Sequence, residues 1–315
     1  MAASRGSFWT ACGRLPSTAA SGARTPRPPT RVTGPSKEAS LSADLVVLIP
    51  ALAVAGALTG VLAGLFGVGG GAIIVPVLYE LFRMLDVPDH LIMPLSVGTS
   101  LAVIIPTSLR SFRGHLKQGV ADTAALKSWV FPVLIGVLAG AAIARFAEPW
   151  VFKLVFIGVA GVNAVRLLVP AAANWQIATD LPTGFLRQTY GAVIGLLSSL
   201  MGIGGGALYT LMMTLHGRPI HQAIATSSGL GVIISIPGAL GYIAAGWPQM
   251  ADLPPLSLGF VSLIGVLALV PMSLLTTPWG VRLAHALPKR RLEIAFGLFL
   301  LAVAARFVTG MIWGY

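Results

Sequence analysis

From Leu45 to Tyr79 the chain carries no charged side chain, and further uncharged stretches run over 91–109, 128–144, 167–179, 188–215, 222–251, 253–281 and 294–305. Several reach the ~20 residues that a helix needs to cross a ~30 Å hydrocarbon layer, and the shorter ones can borrow flanking Lys or Arg whose stems snorkel. Such runs constrain the fold more than any motif does. Lipid offers backbone amides no partner, which leaves helices or closed barrels as the spanning structures. The alternating pattern of a barrel strand is absent from them. Composition agrees: 56% of the residues are hydrophobic and mean hydropathy is +0.85. Only 10% are charged, against about 25% in soluble domains. The expected class is an all-α polytopic membrane protein with roughly eight to ten hydrophobic helical segments.

The net charge of +11 raises the question of nucleic acid. Six Lys or Arg fall in the first 37 residues and most others in short loops between apolar runs, without interleaved aromatics. Membrane orientation accounts for that distribution, and no nucleic-acid partner is expected. Cys12 stands alone, so neither a disulfide framework nor a cysteine metal cluster can form. Residues 1–42 are rich in Arg, Ser, Thr and Pro and lack apolar periodicity. That composition fits a disordered basic tail, an organellar transit peptide, or a start placed too far upstream. Localisation follows: a bacterial inner membrane, or an organelle membrane if the tail is a targeting segment.

Sliding the chain over itself by 135 positions lays "GALTGVLAGLFGVGGGA" (56–72) on "GAVIGLLSSLMGIGGGA" (191–207). An offset of 127 then pairs Thr99, Ser100, Ser108 and Gly114 with Thr226, Ser227, Ser235 and Gly241, and 129 pairs "LIGVLA" at 134–139 with 263–268. The same landmarks recur in the same order, which marks an internal duplication. The domains are therefore a tail (1–42), a first transmembrane repeat (43–170), a linker (171–187) and a second repeat (188–315). Each repeat reads as a broken segment A (45–85; 188–216) followed by spans B (91–110; 222–245), C (127–146; 256–279) and D (150–169; 291–313).

Lys and Arg crowd 110–127 and 282–291, whereas 80–90 and 246–255 are poor in them. The positive-inside rule puts the first pair of loops in the cytoplasm and the second pair outside. Loop B–C is then inside in one repeat and outside in the other, so the halves are expected to be inverted. B, C and D supply an odd number of crossings; segment A must supply an even number, and the chain is expected to turn back at its glycines.

Those glycines are Gly67, Gly69, Gly70 and Gly71, with Gly202, Gly204, Gly205 and Gly206 in the second repeat. A phosphate loop would need a following Lys, and a dinucleotide fingerprint a strand and a downstream acid; neither is present. Small residues also serve close helix packing, and Gly56–Gly60 and Gly191–Gly195 have the GxxxG spacing for it. Three adjacent glycines, however, forfeit about 1 kcal/mol each relative to alanine in a helix, so a break is the cheaper explanation. Helices restarting at Ala72 and Ala207 would present free amides and the positive end of a dipole to an anion. Thr99, Ser100, Thr226 and Ser227 place hydroxyls early in both B spans, although such groups often bond the preceding turn instead. Arg110 closes the first B span, Asn163 lies within D and needs a partner, and His221 sits by a short loop; these three are accessory candidates. No Asp or Glu lies within an apolar run, so proton coupling would fall to a histidine, to the substrate's own proton, or be absent.

"GLFGVGGGAIIVPVL" and "SLMGIGGGALYTLMM", followed by "SVGTSLAV" and "AIATSSGL", resemble the TauE/SafE sulfite exporter family of membrane permeases over about 45–313. The resemblance implies a carrier, not an enzyme, for small anions such as sulfite, thiosulfate or sulfoacetate. From the residues themselves no cofactor and no metal are expected, and the eight glycines and four hydroxyls above are expected at the substrate site. Leu211 stands where the first copy has Pro76. A scaffold or assembly protein using the glycines for packing alone is the competing reading. Oligomeric state cannot be read from the sequence.

Overall fold

The computed structural model describes residues 37–66, 70–169 and 176–313. Gly67 and Gly69, with most of the tail and the start of the linker, lie outside the described residues. By its contacts the chain divides after Ala43, and of the first unit only the opening of one helix is described. The second unit, Asp44–Tyr315, holds the long apolar helices and both glycine clusters.

Ten α-helices form among the described residues: α1 (Lys37–Phe66), α2 (Gly71–Met84), α3 (Asp89–Lys117), α4 (Thr123–Ala144), α5 (Pro149–Leu168), α6 (Gly184–Met201), α7 (Gly206–Leu215), α8 (Ile220–Gly246), α9 (Leu263–Ala286) and α10 (Lys289–Trp313). Six of them, α3–α5 and α8–α10, are long and apolar enough to cross a bilayer. The protein is thus an all-α polytopic membrane protein. Large apolar side chains such as Phe131, Leu138, Leu267 and Leu275 stay exposed on these spans, as lipid-facing positions do. Helix α3 instead buries most of its length at the centre of the fold.

Several expected boundaries move. Helices α2 and α7 start one residue earlier than Ala72 and Ala207, at Gly71 and Gly206, and α6 starts at Gly184, before the expected 188. Helix α3 continues to Lys117, so Arg110 is an exposed residue within the helix and does not close it. The second C span begins at Leu263, not at 256. Residues 257–262 fold instead as a minimal hairpin pairing Ser257–Leu258 with Val261–Ser262, because Pro254–Pro255 cannot continue a helix and Gly259 turns at φ +51°.

Helix directions follow from the contacts. His115 near the end of α3 touches His285 near the end of α9, which in turn stacks on His221 at the start of α8. Helices α3 and α9 therefore run in one direction and α8 in the other. Arg290 at the start of α10 donates to the Leu167 and Leu168 carbonyls at the end of α5, so this pair is antiparallel as well. The histidines mark the near end of the bundle, and the opposite end is the far end. Helices α3 and α8, α4 and α9, and α5 and α10 run in opposite directions.

The GxxxG positions pack the A helices crosswise. Gly56, Gly60 and Gly64 of α1 lie against Leu269, Ser273 and Thr277 of α9, and Gly191 and Gly195 of α6 against Pro132 and Val133 of α4. Thr276 Oγ1 donates to the Ala57 carbonyl at 2.7 Å across the first of these seams. Each repeat's A helix is thus seated on the other repeat's C helix.

Candidate functional site

The glycine turns reverse the chain in both repeats. Gly70 precedes α2 and Gly205 precedes α7 with φ +79° and +75°, left-handed values that favour glycine, and Gly202 closes α6 at φ +65°. Helix α2 runs from the turn toward the far end and α7 toward the near end, so their N-termini meet in the interior. Gly71 packs on the Gly202 carbonyl and on Ile203 closely enough that any Cβ would overlap them. The first residues of each half-helix consequently lie in one buried layer, where the Ile73 and Ile74 amides donate to the Gly70 carbonyl.

The expected hydroxyls are already bonded to protein, one of them at a turn glycine. Ser100 Oγ donates to the Gly202 carbonyl at 2.7 Å. Thr99 Oγ1 accepts the amide of Ser262 at 2.9 Å, and Thr226 Oγ1 accepts the amide of Asp122 at 3.0 Å while donating to the Gln222 carbonyl. Ser262 and Asp122 are the N-caps of α9 and α4, so each threonine ties its B helix to the start of the other repeat's C helix. Ser227 bonds Thr210 and the Ile224 carbonyl. Three buried hydroxyls beside the turns have no partner among the described residues: Thr59, whose methyl abuts Gly70, Ser198 beside Gly205, and Ser108 beside Gly231. The sequence reading passes over them because their significance lies in what they fail to touch.

A cavity of about 290 Å³ lies toward the near end and reaches the first turn of α7 at Ala207. Ala207, Thr210 and Thr214 of α7 form one wall, with Asn163 and Arg166 of α5, Arg218, and Glu293 of α10 opposite. Asn163 is buried and donates to the Val159 carbonyl at 2.9 Å. Arg166 donates to Thr214 Oγ1 at 2.6 Å, while its Nε and that of Arg218 are buried without partners. Two guanidiniums against one carboxylate, itself paired with Arg290, leave the cavity basic. Arg166 is the residue the sequence reading misses. The signal is its spacing, three residues after Asn163 in an apolar helix and hence on the same face. Arg110 and His221 do not line this cavity.

Phe66 and Phe296 stack with ring centroids 4.2 Å apart and border both the cavity and a void of about 10 Å³ lined by Gly70 and Ala72. On the far side, Lys153 donates to Tyr79 of α2 at 2.9 Å and Arg306 pairs with Glu80, which fastens α2 to α5 and α10.

The family model described as Sulfite exporter TauE/SafE matches residues 52–307. A probable membrane transporter protein of Haemophilus influenzae is 34% identical over 250 residues, covering 79% of this chain and 94% of that one. One of Methanocaldococcus jannaschii is 26% identical over 273 residues, covering 83% and 98%. A third, of Bacillus subtilis, is 27% identical over 213 residues, covering 62% and 78%. No solved structure matches the chain. With duplicated glycine turns at its centre and a family match across nearly all of its membrane-spanning part, the chain belongs to the sulfite exporter TauE/SafE family.

Proposed function

We propose that the protein is a secondary transporter exporting small sulfur-containing or organic anions, such as sulfite, thiosulfate or sulfoacetate, across the inner membrane. The observation that carries this reading is the meeting of two opposed half-helix N-termini under a basic cavity: bare amides, dipole ends and Arg166 all favour negative charge. Gly70, Gly71, Gly202, Gly204, Gly205 and Gly206 let an anion approach backbone; Gly67 and Gly69, the sequence counterparts of Gly202 and Gly204, lie outside the described residues. Thr99, Ser100, Thr226 and Ser227 hold the frame of the site, and Thr59, Ser108 and Ser198 offer hydroxyls to its occupant. The opposed directions of α3/α8, α4/α9 and α5/α10 support an inverted pair of halves with substrate at their interface, the plan of many secondary carriers. Basic residues gathered at the near end support a cytoplasmic opening there. A membrane potential negative inside drives an anion outward by about 2.3 kcal/mol per charge per 100 mV, so export is downhill without another ion.

Uptake of labelled sulfite, thiosulfate and sulfoacetate into proteoliposomes tests the proposal. Wild type should carry at least one of them, and Arg166→Gln should lose most of that flux while its melting temperature in detergent stays near the wild-type value. No flux of any small anion would return the glycines to a packing role in a scaffold.

A further inference from the structure

Helix α3 holds the end of α1 through two side chains one turn apart. Ser111 Oγ donates to the Ala63 carbonyl at 3.0 Å, and His115 Nε2 meets the Gly64 carbonyl at 3.1 Å. These carbonyls belong to the last turn of α1. The offsets that align the repeats carry His115 onto Tyr242 and Gly64 onto Ser199. Tyr242 donates to the Ser199 carbonyl at 3.1 Å. The second half thus makes the same attachment with a phenol, and anything His115 supplies beyond holding a carbonyl belongs to the imidazole.

A carbonyl can only accept, so Nε2 carries the proton of the neutral ring and Nδ1 is a bare lone pair. That Nδ1 is buried without a partner, in a ring only 1% exposed. Its ring lies 5.4 Å from that of His285, which is 6.1 Å from that of His221, centroid to centroid. His285 is exposed at the near end and His221 half-buried, and gaps of this size are ones a bridging water can span. The ionisable groups acting on His115 are His285 from α9 and His221 from α8; α1 presents only its backbone.

We infer that His115 Nδ1 is a proton-binding site of the transport cycle, loaded from the near-end surface through His285 and His221. A proton passes from water to His285 and on to Nδ1, giving an imidazolium that faces the negative end of the α1 dipole. The same ring grips the Gly64 carbonyl, three residues before the glycine segment, so protonation changes the hold on the helix end that leads into the anion site. Anion flux would then respond to a pH gradient as well as to the membrane potential.

The inference rests on the transport reading, and two readouts on the same proteoliposomes separate them. Counterflow of labelled thiosulfate at equal pH tests transport without net proton movement, thiosulfate itself carrying no proton near neutrality. A trapped pH dye then reports protons moving with an imposed thiosulfate gradient. Wild type should show both, and His115→Gln, which keeps a donor for Gly64 but takes up no proton, should keep counterflow and lose the dye signal. Should that variant fail to fold, His285→Gln at the exposed end is expected to slow the dye signal while counterflow persists. Counterflow without proton movement in wild type, or an unchanged dye signal in the variants, overturns the proton site and leaves the carrier standing. Absence of counterflow for thiosulfate, sulfite and sulfoacetate overturns both.

Discussion

Thr99 and Thr226 show what a single side chain contributes here. Each accepts the backbone amide of an N-cap across the duplication; the Thr99 bond is buried and the Thr226 bond partly so. Thr99→Val keeps the shape and removes the acceptor, leaving the Ser262 amide unpaired at a cost of about 1–3 kcal/mol. Thermal unfolding in detergent should therefore show a clear drop for Thr99→Val and near-recovery for Thr99→Ser. The duplication of these threonines is legible in the sequence; their partners are not, because Ser262 lies 163 residues away and nothing local announces it. Hydroxyl orphans such as Ser108 escape a sequence reading for the converse reason, and Arg166 is hidden by its distance from any motif.

Among elements, the two glycine patterns divide the labour that one composition suggests. The triplets end and restart helices, while the GxxxG positions seat α1 on α9 and α6 on α4. At Gly60 an added Cβ would overlap the Ser273 carbonyl, whereas Gly158 of α5 has nothing within 4 Å. Gly60→Ala should cost about 2 kcal/mol or more by forcing two backbones apart. Gly158→Ala should be neutral or raise stability by up to ~1 kcal/mol through helix propensity. Melting curves of the two variants side by side check both signs. Hydropathy finds each of the long spans but misplaces the start of α9. An uncharged run from 253 to 281 conceals a hairpin that only Pro254, Pro255 and Gly259 betray.

At the scale of the whole molecule, charge separates the ends. Arg113, Lys117, Arg187, Arg218 and Arg290 gather at the near end, against Glu80, Asp86, Asp89, Glu148 and Asp252 at the far end. With Cys12→Ser as background, Asp89→Cys should react with an impermeant maleimide on intact cells and Gln118→Cys only after permeabilisation; the reverse pattern would invert the orientation. Loop charges alone suggest opposed halves, and the helix directions support them. What no loop can reveal is that the halves exchange partners, because that is written in backbone contacts between distant glycine faces. The exchange sets an order on biogenesis. Helix α6 is made after α4, so its seat is waiting for it, but α1 must wait for α9, to which Thr276 and Ala57 bind it across 219 residues. At about 5–20 residues per second, the first helix of the fold spends roughly 10–45 s in the translocon or the lipid with its small-residue face uncovered, and the protein closes only when nearly all of it has been synthesised.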